Sequence, residues 1–284
     1  MEPAEKTWLV ETDWLSTHLD ASDLVVFDAT WYIPGTNADA REQYLEEHIP
    51  NSLFFDIDDI SDLSTALPHM LPNPIKFSSR MRRLGVGDGM RIVVYDHLDL
   101  FSAARAWWMF RAMGVEEVYV LNGGMRKWTD ENRPVDEYPH RPRIERHFTA
   151  RLDRSLIASL DDVREAHRTQ SAQIVDARPV DRFKGIADEP RPGVRRGHIP
   201  GSISVPRTAL LTADGTMKNN DDLKEVFLDA GIDLAKPVIT VCGSGITAAV
   251  PLLALSQIGH QDHSLYDGSW AEWGADNSLP VETG

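Results

Sequence analysis

One residue in 284 is a cysteine, Cys242. It opens the run Cys242-Gly243-Ser244-Gly245-Ile246-Thr247, between the apolar Val238-Ile239-Thr240-Val241 and Ala248-Ala249-Val250-Pro251-Leu252-Leu253-Ala254-Leu255. The first flank reads as a buried strand, the second as a helix. A strand, a loop of small residues and a helix start put the sulfur among backbone N–H groups that lack helical partners, at the positive end of a helix dipole. Such a loop is an anion cradle that suits a thiolate or a persulfide. Gly243 and Gly245 let the backbone come close to a bound anion. Pro251 fits only in a first helical turn, which sets the helix start near Thr247.

Three chemistries compete for this loop. A lone cysteine is commonly a small buried hydrophobe, but a glycine-flanked strand end is not a packing site. A cysteine phosphatase closes its loop with an arginine on the phosphate; position 248, where that arginine would stand, is Ala. The remaining reading is a nucleophilic cysteine that carries sulfur. Gly85-Val86-Gly87-Asp88-Gly89 lacks the Lys-Ser/Thr of a phosphate-binding loop and precedes a strand, so it is read as a turn. A single cysteine forms no internal disulfide and no cysteine-based zinc site, and it suits a reducing compartment.

Other side chains qualify the site. The stretch from Arg178 to Arg196 is dense in arginine within an acidic chain. It is either a solvated basic loop or an anion clamp, for which a guanidinium fork matches a carboxylate. Arg178, two residues after Asp176, reads as an internal partner of Asp176 or Glu189. His48 and His198 sit in matching His-Ile-Pro turns and read as turn structure. His69, in Leu67-Pro68-His69-Met70-Leu71-Pro72, has no such counterpart. Trp107, Trp108, Trp128, Trp270 and Trp273 read as core.

The elements that must position these residues occur twice. Val25-Val26-Phe27-Asp28-Ala29 answers Gln173-Ile174-Val175-Asp176-Ala177, and His48-Ile49-Pro50 answers His198-Ile199-Pro200. Ile92-Val93-Val94-Tyr95-Asp96 answers Val238-Ile239-Thr240-Val241-Cys242, and Leu121-Asn122-Gly123 answers Tyr266-Asp267-Gly268. This order implies a duplicated domain. Short β-branched runs alternate with helical patterns, such as Leu223, Val226, Phe227 and Ala230, capped at Asn220 or Asp221 and ended by Gly231. The class is therefore α/β: two tandem domains, each a mainly parallel sheet flanked by helices. The prolines and charges after Asn132 place a linker at 141–155, between a first domain at 1–140 and a second at 156–284. Asp96 stands where the second copy has Cys242, so the first copy is expected to be inactive and to wall the site. The net charge of −15 opposes nucleic acid and anionic membrane. No apolar run approaches the roughly 18 residues of a membrane span. The acidic Met1–Lys6 start offers no secretory signal, and the expected location is cytoplasmic.

With Cys-Gly-Ser-Gly-Ile-Thr-Ala, Asp181-Arg182-Phe183-Lys184-Gly185 and Glu189-Pro190-Arg191 in view, the chain resembles the rhodanese-fold sulfurtransferases with two tandem domains. The resemblance runs from about residue 7 to 275 and is strongest to the branch that uses 3-mercaptopyruvate, with Ile246 where Val is more usual. It implies that Cys242 attacks the donor sulfur and becomes a persulfide held by the loop of Gly243, Ser244, Gly245, Ile246 and Thr247. It implies substrate binding by Arg182 and Arg191, and an Asp58–His69–Ser244 relay across the domain interface. The implied acceptor is a thiol, such as thioredoxin or glutathione, or cyanide, and no cofactor or metal is implied. Thiosulfate-using relatives typically carry cations after the cysteine. The neutral Gly243 and Ser244 favour a monocarboxylate donor instead. A thiosulfate sulfurtransferase and a non-catalytic rhodanese-like binding module are the alternatives.

Overall fold

The computed structural model describes residues 7–138 and 143–284. Met1–Lys6, Pro139 and the Arg141-Pro142 start of the expected linker lie outside the described residues. Ten short strands build two sheets: β1 Leu9–Val10, β2 Leu24–Asp28, β3 Leu53–Phe54, β4 Arg91–Tyr95, β5 Val118–Leu121, β6 Ile157–Ala158, β7 Gln173–Asp176, β8 Ile203–Ser204, β9 Val238–Val241 and β10 His263–Tyr266. Their orders are β1-β5-β4-β2-β3 and β6-β10-β9-β7-β8. Every pairing between these strands is parallel. The expected α/β duplication is the architecture.

Successive strand side chains point to opposite faces, and both faces are covered. Leu24, Val26, Val93, Tyr95, Leu121 and Trp128 form a cluster on the outer face of the first sheet. Ile174, Ile239, Val241, Tyr266 and Trp273 repeat it on the second. The inner-face residues of the two sheets, Val25, Phe27, Ile92 and Val94 with Val175, Val238 and Leu265, belong to one continuous core. The five tryptophans read as core are all buried.

The helices Ala103–Ala112 and Ala249–Gln257 occupy the centre of that core. The first is buried at nine of its ten positions, the pattern of a helix wrapped on all sides. Pro251 lies in the first turn of the second, as its missing N–H requires. The helix Asn220–Asp229 is capped by Asn219, one residue before the expected caps; its side chain accepts from the N–H of Asp221 and Asp222.

Residues 143–153 form a strap bonded to the first half. His147 O accepts from Asp88 N–H at 2.9 Å, while the N–H groups of Arg151 and Asp153 donate to Met113 and Ala112 carbonyls at 2.8 Å. Phe148 anchors the strap in the core. The His-Ile-Pro turns also have a structural use. His48 forms a reciprocal backbone pair with Asp136, and His198 forms one with Glu282. No helix among the described residues is long and apolar enough to cross a membrane.

Arg105 is the exception in its apolar helix. It is 0 % exposed, and its Nη1 donates to Asp267 Oδ1 at 2.6 Å and to Gly245 O at 3.2 Å. Its Nη2 donates to His69 O, and the guanidinium lies over Trp108, 4.4 Å from the ring centroid. Removing one partner of a buried ion pair costs about 3–5 kcal/mol, because the other charge is left unpaired. Arg105→Met should lower stability by that order in urea unfolding, and adding Asp267→Asn should recover part of the loss. A double loss equal to the sum of the Arg105→Met and Asp267→Asn losses would show that the pair is uncoupled.

Candidate active site

Cys242 follows β9 directly and is buried, 2 % exposed. The turn and helix around Ser269–Trp273 fix its backbone. Cys242 N–H donates to Ser269 Oγ at 3.2 Å, Trp270 N–H donates to Cys242 O at 2.9 Å, and Ala271 N–H donates to Gly243 O at 2.9 Å. Among the described residues, none of the N–H groups of residues 243–248 donates to a protein acceptor. These N–H groups lie between the sulfur and the helix start, as an anion cradle requires.

The first copy shows what such a loop holds. β4 and the helix Ala103–Ala112 match β9 and the helix Ala249–Gln257 in sequence order, with Asp96 in the place of Cys242. Asp96 Oδ1 accepts the Leu98 N–H at 2.8 Å; Oδ2 accepts those of Ser102 at 2.8 Å and Ala103 at 2.7 Å. The carboxylate fills its own cradle. A carboxylate oxygen stands as many bonds from Cβ as the outer sulfur of a cysteine persulfide. The corresponding N–H groups in the second copy are those of Ser244, Ala248 and Ala249. Burial raises the pKa of Asp96, and its three backbone donors oppose that shift.

A cleft of about 40 Å³ opens onto the sulfur. Cys242, Gly243, Ser244, Ile246 and Thr247 line it, with Arg182, Pro190 and Arg191 on one side. Trp31, Ile33 and Phe101 of the first half close the other side. Gly245 does not line it. Its φ is +78°, and a Cβ there would stand 2.9 Å from Asp267 O and 3.0 Å from Arg105 Nη1. Gly245 is thus also a joint to the Arg105 pair.

Arg182, in the helix Val180–Phe183, pairs with Glu189, whose other oxygen accepts from Arg178 Nη1 at 2.8 Å. Arg178 also binds Asp176, at 2.7 Å, which makes it the internal partner expected from the sequence. The Arg182 guanidinium abuts the loop: a Cβ on Gly243 would come within 2.9 Å of its Nη2.

Asp58 and His69 meet as expected, and the next contact of the imidazole is Arg191. Asp58 Oδ1 lies 2.9 Å from His69 Nδ1, off the linear direction of a hydrogen bond. Asp58 Oδ2 accepts from Trp31 Nε1 at 3.1 Å. His69 Nε2 lies 3.1 Å from Arg191 Nη2. Among the described residues, no hydrogen bond joins His69 to Ser244. A guanidinium only donates, so Nε2 is the acceptor and the ring proton sits on Nδ1, toward Asp58. The chain of contacts is therefore Asp58–His69–Arg191: the imidazole orients a cleft arginine.

The imidazole also lies edge-on to Trp31, with centroids 4.7 Å apart. Burial lowers the His69 pKa; Asp58 opposes that, and Arg105 and Arg191 add to it. Burial lowers the Arg191 pKa too, and the nearby Cys242 sulfur opposes that shift. Among the described residues, no cluster of three His, Cys, Asp or Glu side chains is placed to hold a metal ion. The sequence reading missed Trp31, Arg105 and Asp267, and it named Glu189 as a partner of Arg178 but not of Arg182. A lone arginine inside Ala103-Ala104-Arg105-Ala106-Trp107-Trp108 was the available signal, since a buried cation demands a partner.

The fold and the cysteine loop define a two-domain sulfurtransferase framework, and comparison with known proteins agrees. The profile of the Rhodanese-like domain matches residues 11–131 and 159–276, and the chain belongs to the rhodanese family. It is 45% identical over 278 residues to the 3-mercaptopyruvate sulfurtransferase of Escherichia coli K12, covering 97% of this chain and 98% of that one. It is 41% identical over 272 residues to a thiosulfate sulfurtransferase of Rattus norvegicus, covering 93% and 91%. The crystal structure of SseA from Escherichia coli, described as a 3-mercaptopyruvate sulfotransferase with the rhodanese fold, superposes with a TM-score of 0.86 at 42% identity, covering 93% of this chain and 99% of that one.

The His69 contacts give a pH dependence with a definite sign. The native pKa lies below the ordinary 6.5, so the unfolded chain binds the proton more readily. This contribution to stability is complete above pH 6.5 and fades as pH falls toward the depressed value. Protonation there also sets a cation against Arg191. An NMR titration should place the His69 midpoint below 6.5, and His69→Gln should flatten the acid side of the stability profile. A midpoint at or above 6.5 would show that Asp58 outweighs burial and the two arginines.

Proposed function

We propose that this protein is a 3-mercaptopyruvate sulfurtransferase that works through a persulfide on Cys242. One observation carries the reading. Cys242 heads a loop whose duplicate holds a carboxylate with three backbone N–H groups, and two of the three matching groups, those of Ser244 and Ala248, are unbonded among the described residues. The identity to 3-mercaptopyruvate sulfurtransferases over nearly the whole chain supports the donor.

Arg182 and Arg191 grip the carboxylate and ketone oxygens of the donor. The Cys242 thiolate attacks its sulfur, and the carbon–sulfur bond breaks with its electron pair going to carbon. The resulting enolate is held by the arginines, takes a proton at the Ser244 side of the cleft, and leaves as pyruvate. The outer sulfur rests on the loop N–H groups, which stabilise its negative charge. A thiol such as thioredoxin or glutathione, or cyanide, then removes it. In this reading residues 156–284 carry the chemistry, 1–140 wall the cleft and 141–155 connect them. The lone cysteine favours a reducing, cytoplasmic setting.

The similarity to a thiosulfate sulfurtransferase supports a second reading in which thiosulfate is the donor. The ratio of turnover on the two donors decides, and a ratio in favour of thiosulfate would overturn the first reading.

Cys242→Ser should retain the fold by circular dichroism and lose transfer. The wild type incubated with donor should show a gain of about 32 Da on the Cys242 peptide, the mass of one sulfur. Transfer by the Ser variant, or no adduct on the wild type, would sink the mechanism. Ser244→Ala should act mainly on kcat, by about 10²-fold or more if the hydroxyl supplies the proton. His69→Ala should act mainly on KM for the donor, because it releases Arg191 instead of a proton. A matching kcat loss in the two variants would restore the Asp58–His69–Ser244 relay.

A further inference from the structure

A second cavity of about 350 Å³ adjoins the sulfur cleft and shares two wall residues with it, Ile33 and Phe101. It lies at the mouth of the inactive copy's loop, and Tyr32, Thr36, Arg126 and Arg207 complete its working wall. Arg207 comes from the second half. Its guanidinium lies over Phe101, 4.9 Å from the ring centroid, and Nη1 donates to Asp99 O at 2.9 Å. Among the described residues, no carboxylate forms an ion pair with Arg207. Arg126 is only loosely paired, 3.4 Å from Asp99 and 3.9 Å from Asp130. Burial lowers the pKa of Arg207, and Asp96 and Asp99 oppose the shift.

We propose that this cavity binds the acceptor, as a small thiol bearing a carboxylate. The proposal rests on the persulfide reading and adds to it the site of the second substrate. Arg182 and Arg191 serve the donor, so the acceptor needs its own anchor. Most of a surface with net charge −15 repels an anionic thiol, and a local guanidinium pair offsets that repulsion. With its carboxylate on Arg207 and Arg126, the acceptor extends its thiol past Phe101 toward Cys242. Its thiolate attacks the outer sulfur, a new sulfur–sulfur bond forms, and the Cys242 thiolate leaves. The acceptor departs as its persulfide with no net oxidation. Asp99 lines the same cavity and works against the anion.

The test compares 3-mercaptopropionate with the neutral 2-mercaptoethanol as acceptors. Arg126→Gln combined with Arg207→Gln should raise KM for the carboxylate thiol by about tenfold or more, as expected for a lost charge-assisted contact. KM for the neutral thiol should hold within about twofold, and so should persulfide formation on Cys242, since no donor contact is touched. Asp99→Asn should shift the carboxylate thiol the opposite way, to a lower KM. If the double variant fails to fold, Arg126→Glu and Asp99→Asn provide the same comparison in opposite directions. Equal changes for the two thiols, or no change, would overturn the proposal. If mercaptopyruvate does not load Cys242, the functional reading fails instead. The acceptor step is then measured on Cys242 loaded with polysulfide.

Discussion

The structure turns on one buried ion pair. Arg105 and Asp267 come from opposite halves and meet at 2.6 Å, out of water. Each charge requires the other, because neither has solvent to fall back on. Their remaining hydrogen-bonding capacity reaches the functional segments. Arg105 holds the carbonyls of His69 and Gly245, and Asp267 Oδ2 accepts the N–H of Leu71 at 2.6 Å. The segment that carries His69 and the loop that carries Cys242 are thus pinned to the same two charges. His69 itself adopts φ +60°, a conformation that costs a non-glycine residue and persists only where neighbours impose it.

The duplication separates what the fold needs from what the chemistry needs. Both copies keep the parallel sheet, the His-Ile-Pro turn with its backbone pair, and the glycine before the helix that fixes the loop. Only one copy keeps an open cradle. The substitution of cysteine by aspartate in the other trades an anion site for an internal cap, since a carboxylate at a helix N-terminus satisfies otherwise free donors. That cap keeps the helix Ala103–Ala112 well ended, and Arg105 projects from the helix into the interface.

Much of this was legible in the sequence, for physical reasons. The inner strands β4 and β9 are mainly apolar runs, and their limits fall within a residue of the Ile92–Tyr95 and Val238–Val241 runs read from sequence. The strands β1, β3, β6 and β8 have two residues each, too few to show any period, and only pairing defines them. Cys242 was evident because its neighbours are small and its flanks apolar. The contact of His69 with Arg191 was missed because sequence order says nothing of which polar atom a ring nitrogen meets across an interface. Arg191 reached it first. Gly243 was read as neutral ground for a substrate, whereas its missing side chain makes room for Arg182.

The shared core has a consequence for motion. Many two-lobed proteins admit ligands by hinging one lobe away from the other. Here a hinge would expose the inner faces of both sheets and strip Arg105 from Asp267, a rupture on the scale of unfolding rather than breathing. Yet a cleft of about 40 Å³ has room for a few waters at most. Entry must therefore be local. The parts able to yield are the Arg182 and Arg191 side chains, held by Glu189 and His69 and partly open to solvent. A molecule that arrives with its own carboxylate offers those cations a substitute partner as it enters, so the ligand itself unlocks the door while the two halves stay still.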